Sequence, residues 1–176
     1  MNKLNVRTPL ALVAAGLAAV ALITAIWVGV AVSKATEHDP RITAYAHGEA
    51  VTVDPFMFCT VTMQDCRYGE TTELAVPSGL PVQLSLPDKI AESPWLIQLI
   101  YQRPTGEQVD RVLSFADYPE RARALTIESQ PEPDLRLIGI EVQLPILARD
   151  TATGRESYIP HAAWSIVTPE PDTTAP

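Results

Sequence analysis

Polarity along the chain changes character twice. Residues 10–32 form a run of 23 positions without a charge, in which only Gly16, Thr24 and Gly29 fall outside the apolar set. At about 1.5 Å per residue, a helix of that length spans roughly 34 Å, slightly more than the hydrocarbon core of a bilayer. Lipid offers backbone groups no hydrogen-bond partner, so the run predicts a transmembrane helix over 10–32. From residue 41 onward the period becomes two. Val82, Leu84 and Leu86 alternate with Gln83 and Ser85, and Trp95, Ile97, Leu99 and Tyr101 form a second inward set. Ile138, Ile140, Val142, Leu144 and Ile146 oppose Gly139, Glu141 and Gln143, and Tyr158 with residues 162–167 supplies a last strand. Such alternation marks strands with one buried face, and it places Trp95 and Trp164 in the core.

Turn residues separate these strands. Pro77-Ser78-Gly79 divides 74–76 from 80–86, and Pro104-Thr105-Gly106 closes a hairpin between 95–103 and 109–115. Thr151-Ala152-Thr153-Gly154 closes another between 138–149 and the segment from 156. Fifteen of the 16 prolines follow the apolar run, which disfavours long helices there. Residues 118–124 leave room for one helical turn. The expected fold is mainly β: an N-terminal transmembrane helix followed by an immunoglobulin-like antiparallel β-sandwich of about eight strands, with a partly open barrel as runner-up. Residues 1–9 are read as a cytoplasmic N-terminus, 10–32 as the helix and 33–40 as a polar stalk. The outer sandwich occupies 41–167, and 168–176 reads as a disordered, acidic, Pro/Thr-rich tail.

Charge gives the run an orientation. Lys3 and Arg7 precede it with no acid before it, so the N-terminus is expected in the cytoplasm and the C-terminal domain outside, on a single-pass signal anchor. Lys34 opposes this with one charge. A cleaved signal peptide is the competing reading, because Ser33 and Ala35 are small, but secretory apolar regions run about 7–15 residues. No GxxxG pair argues for a helix dimer, although the face of Ala14, Ala15, Ala18 and Ala19 permits close contact. The chain carries a net charge of −8, and all 21 acidic residues follow the run. No basic stripe for nucleic acid is present. The acidity reads as a solvated surface, with an acidic docking face for a basic partner as the sharper alternative.

Candidate chemistry is sparse. Cys59 and Cys66 are the only cysteines, and they fall on the outer side, where disulfides persist. Their C-x6-C spacing differs from the C-x-x-C of redox sites and predicts a structural disulfide. The bridge should clamp 56–61 against a turn at Gln64-Asp65, with Phe56, Phe58 and Val61 holding it against the core. His38, His47, His161, Met57 and Met63 include soft ligands that suit copper, yet none shows H-x-H or M-x-M spacing. The methionines read equally well as core filler. There is no G-x-S-x-G, H-E-x-x-H or D-x-D. No catalytic, cofactor-binding or metal residue is expected, and no enzymatic activity. Asn2 and Asn5 are the only asparagines, which excludes N-linked glycosylation of the outer part.

Several segments carry a resemblance. Asp54-Pro55-Phe56-Met57-Phe58-Cys59, Cys66, Leu80-Pro81-Val82-Gln83-Leu84-Ser85-Leu86-Pro87 and Ile90-Ala91-Glu92-Ser93-Pro94-Trp95 resemble an actinobacterial family of uncharacterised membrane-anchored or exported proteins. The resemblance covers roughly residues 41–166, and the ten arginines against three lysines agree with a GC-rich genome. It implies an accessory envelope protein beside a larger membrane complex, such as a respiratory assembly, and carries over no catalytic residue. The expected function is a non-enzymatic, membrane-anchored protein whose outer sandwich binds another envelope protein. The alternative is an extracytoplasmic small-ligand or copper carrier, with a pocket between the sheets or at the Met57, Met63 and His47 end.

Overall fold

The structure, a computed structural model, describes residues 7–33, 39–118, 121–149 and 151–171, with side chains over 15–30 in the first of these segments. The expected cytoplasmic segment up to residue 6, the stalk at 34–38, the tail from 172 and residues 119–120 of the expected helical turn lie outside the described residues. Two compact units divide the chain, Met1–His38 and Asp39–Pro176.

The first unit holds helix α1, Arg7–Ser33, of 27 residues. Its one hydroxyl within the apolar run is consumed locally, because Thr24 Oγ1 donates to the Val20 carbonyl at 2.8 Å. Every described side chain of α1 is exposed, Leu17, Leu22, Ile26 and Trp27 among them. Among the described residues no helix is long and apolar enough to cross a membrane.

The second unit is mainly β, with two antiparallel sheets. The smaller sheet runs β2-β1-β6-β9, where β1 is Ile42–Ala46, β2 Glu49–Val53, β6 Val82–Ser85 and β9 Ala124–Ile127. The larger runs β4-β3-β11-β10-β7-β8, where β3 is Met57–Phe58, β4 Arg67–Tyr68, β7 Leu96–Gln102, β8 Gln108–Ser114, β10 Arg136–Arg149 and β11 Glu156–Val167. A two-residue strand β5, Thr72–Glu73, adds to β11 in parallel. Inner faces of both sheets meet in one core: Ile42, Val82, Leu84 and Ile127 from the smaller, Ile97, Leu99, Val142 and Trp164 from the larger. Trp164 is fully buried, and its indole N–H donates to the Pro40 carbonyl at 2.9 Å.

The alternation of Trp95, Ile97, Leu99 and Tyr101 holds, with all four buried. The inward set expected from Ile138 to Ile146 needs correction at both ends. A β-bulge leaves Ile138 without a partner on β7, since Leu137 pairs Tyr101 and Gly139 pairs Ile100. The extra residue shifts the phase, so Leu137 enters the core and Ile138 stays half-buried. At the other end Ile146 is also half-buried. Strand β7 accompanies β10 only as far as Gln143, and β3 meets β11 only at Ala162 and Ala163. Beyond those points the β10–β11 hairpin continues as a two-stranded ribbon. A second irregularity sits at its base, where Leu144 pairs Ala162 but Pro145 pairs Pro160, leaving His161 as the extra residue. Two facing prolines remove two ladder donors at that point.

Other expectations shift as well. Residues 74–76 form no strand; Leu74 and Val76 are buried, and their N–H groups donate to the Val167 and Pro169 carbonyls, each at 3.0 Å. A 3-10 turn over Phe115–Asp117, ahead of the expected 118–124, has its start capped by Asp117 accepting from the Ser114 N–H at 2.9 Å. A one-turn helix α2, Asp88–Ala91, precedes β7. The β1–β2 hairpin turns at His47 and Gly48, both at positive φ, as a two-residue hairpin turn requires.

Tyr101 yields a prediction. Burial raises its phenol pKa above the ordinary value; Arg111 opposes the rise and Glu128 adds to it. Its hydroxyl donates to the Glu128 carbonyl at 3.0 Å. Above the ordinary phenol range the unfolded chain loses this proton while the folded chain keeps it, so stability falls as pH rises through that window. Urea titrations across an alkaline pH series should show this slope in the wild type, and Tyr101→Phe should flatten it. An equal slope in both proteins would refute the assignment.

Candidate functional site

Register fixes which side chains share the outward face of the larger sheet. Residues paired across neighbouring strands point the same way. One row runs Tyr68, Met57, Ala163, Gln143, Leu96 and Ser114, from β4 across to β8. Along the hairpin the same face carries the facing prolines and then the Leu147–Tyr158 pair. Tyr68 is 73% exposed, Leu147 59% and Tyr158 74%. Leu147 and Tyr158 stand on the ribbon and Tyr68 on the edge strand β4, held out by backbone pairing rather than by packing. The polar groups between them are satisfied internally, as Gln143 Nε2 donates to Glu141 Oε1 at 2.9 Å. Arg149 and Glu156 pair beyond them. The face therefore sets these exposed side chains beside the Glu141 carboxylate and the Arg149–Glu156 pair.

The disulfide loop abuts this face. Cys59 and Cys66 are bonded, with Cα atoms 4.1 Å apart. Cys59 is buried, donates its N–H to the His161 carbonyl at 2.7 Å, and accepts from His161 Nδ1–H at 3.1 Å. The bulged histidine thus ties the loop to the base of the hairpin. Phe58 packs against the core, with the Arg67 guanidinium 5.5 Å above its ring and Asp39 paired to Arg67. Phe56 and Val61 do not pack inward as expected: both are exposed, Val61 by 66%. The loop tip is too short to fold back over the core, because Thr60 closes it on Gln64 through its hydroxyl and backbone at 3.0 and 2.9 Å. Met63 is exposed and Met57 half-buried, so neither fills the core.

The remaining candidates stay apart in sequence-local settings. His47 sits in the β1–β2 turn, His161 in the bulge, and His38 lies outside the described residues. Among the described residues no three of His, Cys, Asp or Glu converge as a metal site. Several of the described acids are paired with arginines. Asp54 meets Arg41 at 2.7 Å, Asp88 meets Arg123 at 3.0 Å, and Glu132 meets Arg111 at 2.6 Å.

Among the cavities of the described residues are two of 260 Å³ each. One is lined by Arg103, Asp134, Arg136 and the bulged Ile138. Arg103 is neutralised by Asp134, and Arg136 donates through Nη2 to the Thr168 carbonyl at 3.0 Å. The other opens between α2, the start of β7 and the 3-10 turn, with Trp95, Tyr118, Phe115, Glu92 and Arg121 in its walls. Pattern reasoning found Trp95 but assigned it to packing alone.

Comparison with known proteins adds the family. The family described as "Protein of unknown function (DUF2771)" matches residues 35–169. The chain belongs to this family. An uncharacterised protein of Mycobacterium bovis and one of Mycobacterium tuberculosis are each 36% identical to it over 129 residues, covering 72% of this chain and 76% of theirs. No solved structure matches. The aligned stretch is long enough to include most of the β unit, so the expected kinship with an uncharacterised family holds for this DUF2771 chain.

Proposed function

We propose that this DUF2771 protein is a non-enzymatic, single-pass envelope protein whose outer domain, an immunoglobulin-like sandwich over 41–167, docks against another envelope protein. The N-terminus lies in the cytoplasm and the domain outside. The observation that carries docking is the exposed apolar set Tyr68, Leu147 and Tyr158 on one face of the larger sheet. A ribbon that outgrows its sheet and presents aliphatic and aromatic side chains to water gains by burial against a partner. The partner surface it fits is largely apolar, with polar groups where it meets Glu141 and the Arg149–Glu156 pair. The anchor is supported by the uncharged run over 10–32, by Lys3 and Arg7 before it, and by the exposure of every described side chain of α1.

Full-length protein solubilised from native membranes should retain its partner through affinity purification. Leu147→Glu and Tyr158→Glu should each release it, with at least roughly a 30-fold loss of affinity if these side chains are hot spots. Their thermal unfolding should stay unchanged, because neither side chain is in the core. Identical co-purified proteins from wild type and both variants would overturn the docking face. The anchor has its own check. The protein should resist carbonate extraction and begin at Met1 or Asn2, whereas a mature N-terminus at Thr36 would mean cleavage.

A further inference from the structure

Strand β8 ends the larger sheet, and its seven residues exceed the two, four and five of β4, β9 and β2, which end the sheets elsewhere. Its pairing with β7 runs through seven consecutive pairs without a bulge. At one end the Arg103 N–H donates to the Glu107 carbonyl at 2.9 Å, and at the other the Phe115 N–H donates to the Trp95 carbonyl at 3.1 Å. Hydrogen-bonded pairs alternate along an antiparallel ladder, so Val109, Arg111 and Leu113 direct their backbone groups at β7. Gln108, Asp110 and Val112 turn theirs away from it, and no described residue bonds them there. The Ser114 N–H points outward too, but the Asp117 carboxylate takes it. What remains is a row of three N–H groups and three carbonyls on residues that are all exposed, Val112 by 61%.

We propose that β8 takes up an extended segment of another protein as an added antiparallel strand, with Lys or Arg opposite Asp110. Sheets protect their edges with short strands, bulges, prolines and charges, and β8 has only the charges of Asp110 and Arg111. Main-chain bonds attach an added strand, and side chains on its two faces select its sequence. On the outer face Asp110 is exposed and makes no ion pair among the described residues. Arg111, on the inner face, is already held by Glu132 at 2.6 Å and lies over the Tyr101 ring. The charge left for a partner is therefore negative. Val109 and Leu113 are half-buried against the core, which favours a strand whose inward residues are aliphatic. A second copy of this chain fits poorly, because symmetric pairing must match Gln108, Asp110, Val112 and Ser114 among themselves. Of the registers that engage five or more residues of β8, one sets Arg111 opposite Arg111 and one sets Asp110 opposite Asp110. Like charges directly opposite are destabilising. The third needs the Ser114 N–H that Asp117 holds. This edge lies across the sheet from β4 and Tyr68, so the proposal does not rest on the docking face.

The test uses the full chain in detergent, with backbone amides followed by nitrogen–proton correlation spectra. The probe is an end-capped peptide, Thr-Val-Thr-Val-Lys-Val-Thr, which in antiparallel register sets its Lys opposite Asp110 and its valines opposite Val109, Arg111 and Leu113. It should shift the Gln108, Asp110 and Val112 amides in a saturable way and slow their exchange with solvent. The same peptide with Glu in place of Lys should bind roughly tenfold more weakly, and Asp110→Lys should reverse that order. A peptide N-methylated at its Lys and at the Thr opposite Val112 should not bind, since it lacks the donors that face the edge. Val112→Pro should also weaken binding while thermal unfolding stays near wild type, because it removes an N–H that β7 does not use. Amides unmoved by the Lys peptide, equal affinity for the Lys and Glu peptides, or undiminished binding of the N-methylated peptide would each overturn the proposal. Protection of the same amides that rises with protein concentration in the absence of peptide would make a second copy the occupant, and would overturn it too.

Discussion

Trp164→Ala should cost the β unit about 3–5 kcal/mol, the range for removing a large aromatic side chain from a core. Domains of this size are commonly stable by only about 5–15 kcal/mol, so the variant should be partly unfolded at physiological temperature. The side chain has no exposed surface, and it stands within the longest strand pairing, opposite Val142. It also does a job that no aliphatic residue can take over: its N–H holds the Pro40 carbonyl at the entrance to β1. Trp164→Phe should keep most of the volume and lose that hydrogen bond, and should therefore fall between wild type and alanine. Urea unfolding of the three proteins measures the order. A loss below about 1.5 kcal/mol in the alanine variant would mean that the core closes over the gap, contrary to the close packing expected of protein interiors.

Replacing Cys59 and Cys66 together by serine should cost about 2–3 kcal/mol by the loop-closure estimate for so short a ring. The structure adds a local consequence. Cys59 exchanges two hydrogen bonds with His161, so the bridge pins the loop to the bulge from which the hairpin ribbon emerges. Loss of the bridge should raise amide exchange first in residues 60–66 and at the base of the ribbon, while the β signal in circular dichroism remains. Unfolded, unreduced wild type should titrate with no free thiol. Two titratable thiols, or an undiminished unfolding midpoint in the double-serine protein, would refute a structural role.

Much of this protein is legible along the chain. Period-two alternation located β6, β7, β10 and β11, because a strand with one buried face must repeat that way whatever it packs against. The glycine turns at Gly79, Gly106 and Gly154 lie at positive φ, as their local sequences require. A helix does lie across 10–32, because nothing in that run interrupts one. Two cysteines seven apart had one intrachain partner each, so their bond followed from composition and spacing.

Tertiary structure decided the rest, for reasons that no local pattern contains. A bulge is a mismatch between two strands, and it moved Ile138 off the inward face that its own strand's alternation had given it. Burial of Val61 depended on whether the disulfide loop could reach the core, and the Thr60–Gln64 closure kept it out. Leu147 and Tyr158 read as ordinary strand residues until the neighbouring strands proved too short to accompany them. Exposure there is set by where other strands end. The cavity beside Trp95 draws its walls from α2, the residue before β7 and the 3-10 turn, segments up to 30 residues apart. Sequence by itself determined which segments extend, turn and bridge, because those choices rest on neighbouring residues. Which side chains reach water, and which groups face one another across a gap, only the packing of distant strands could decide.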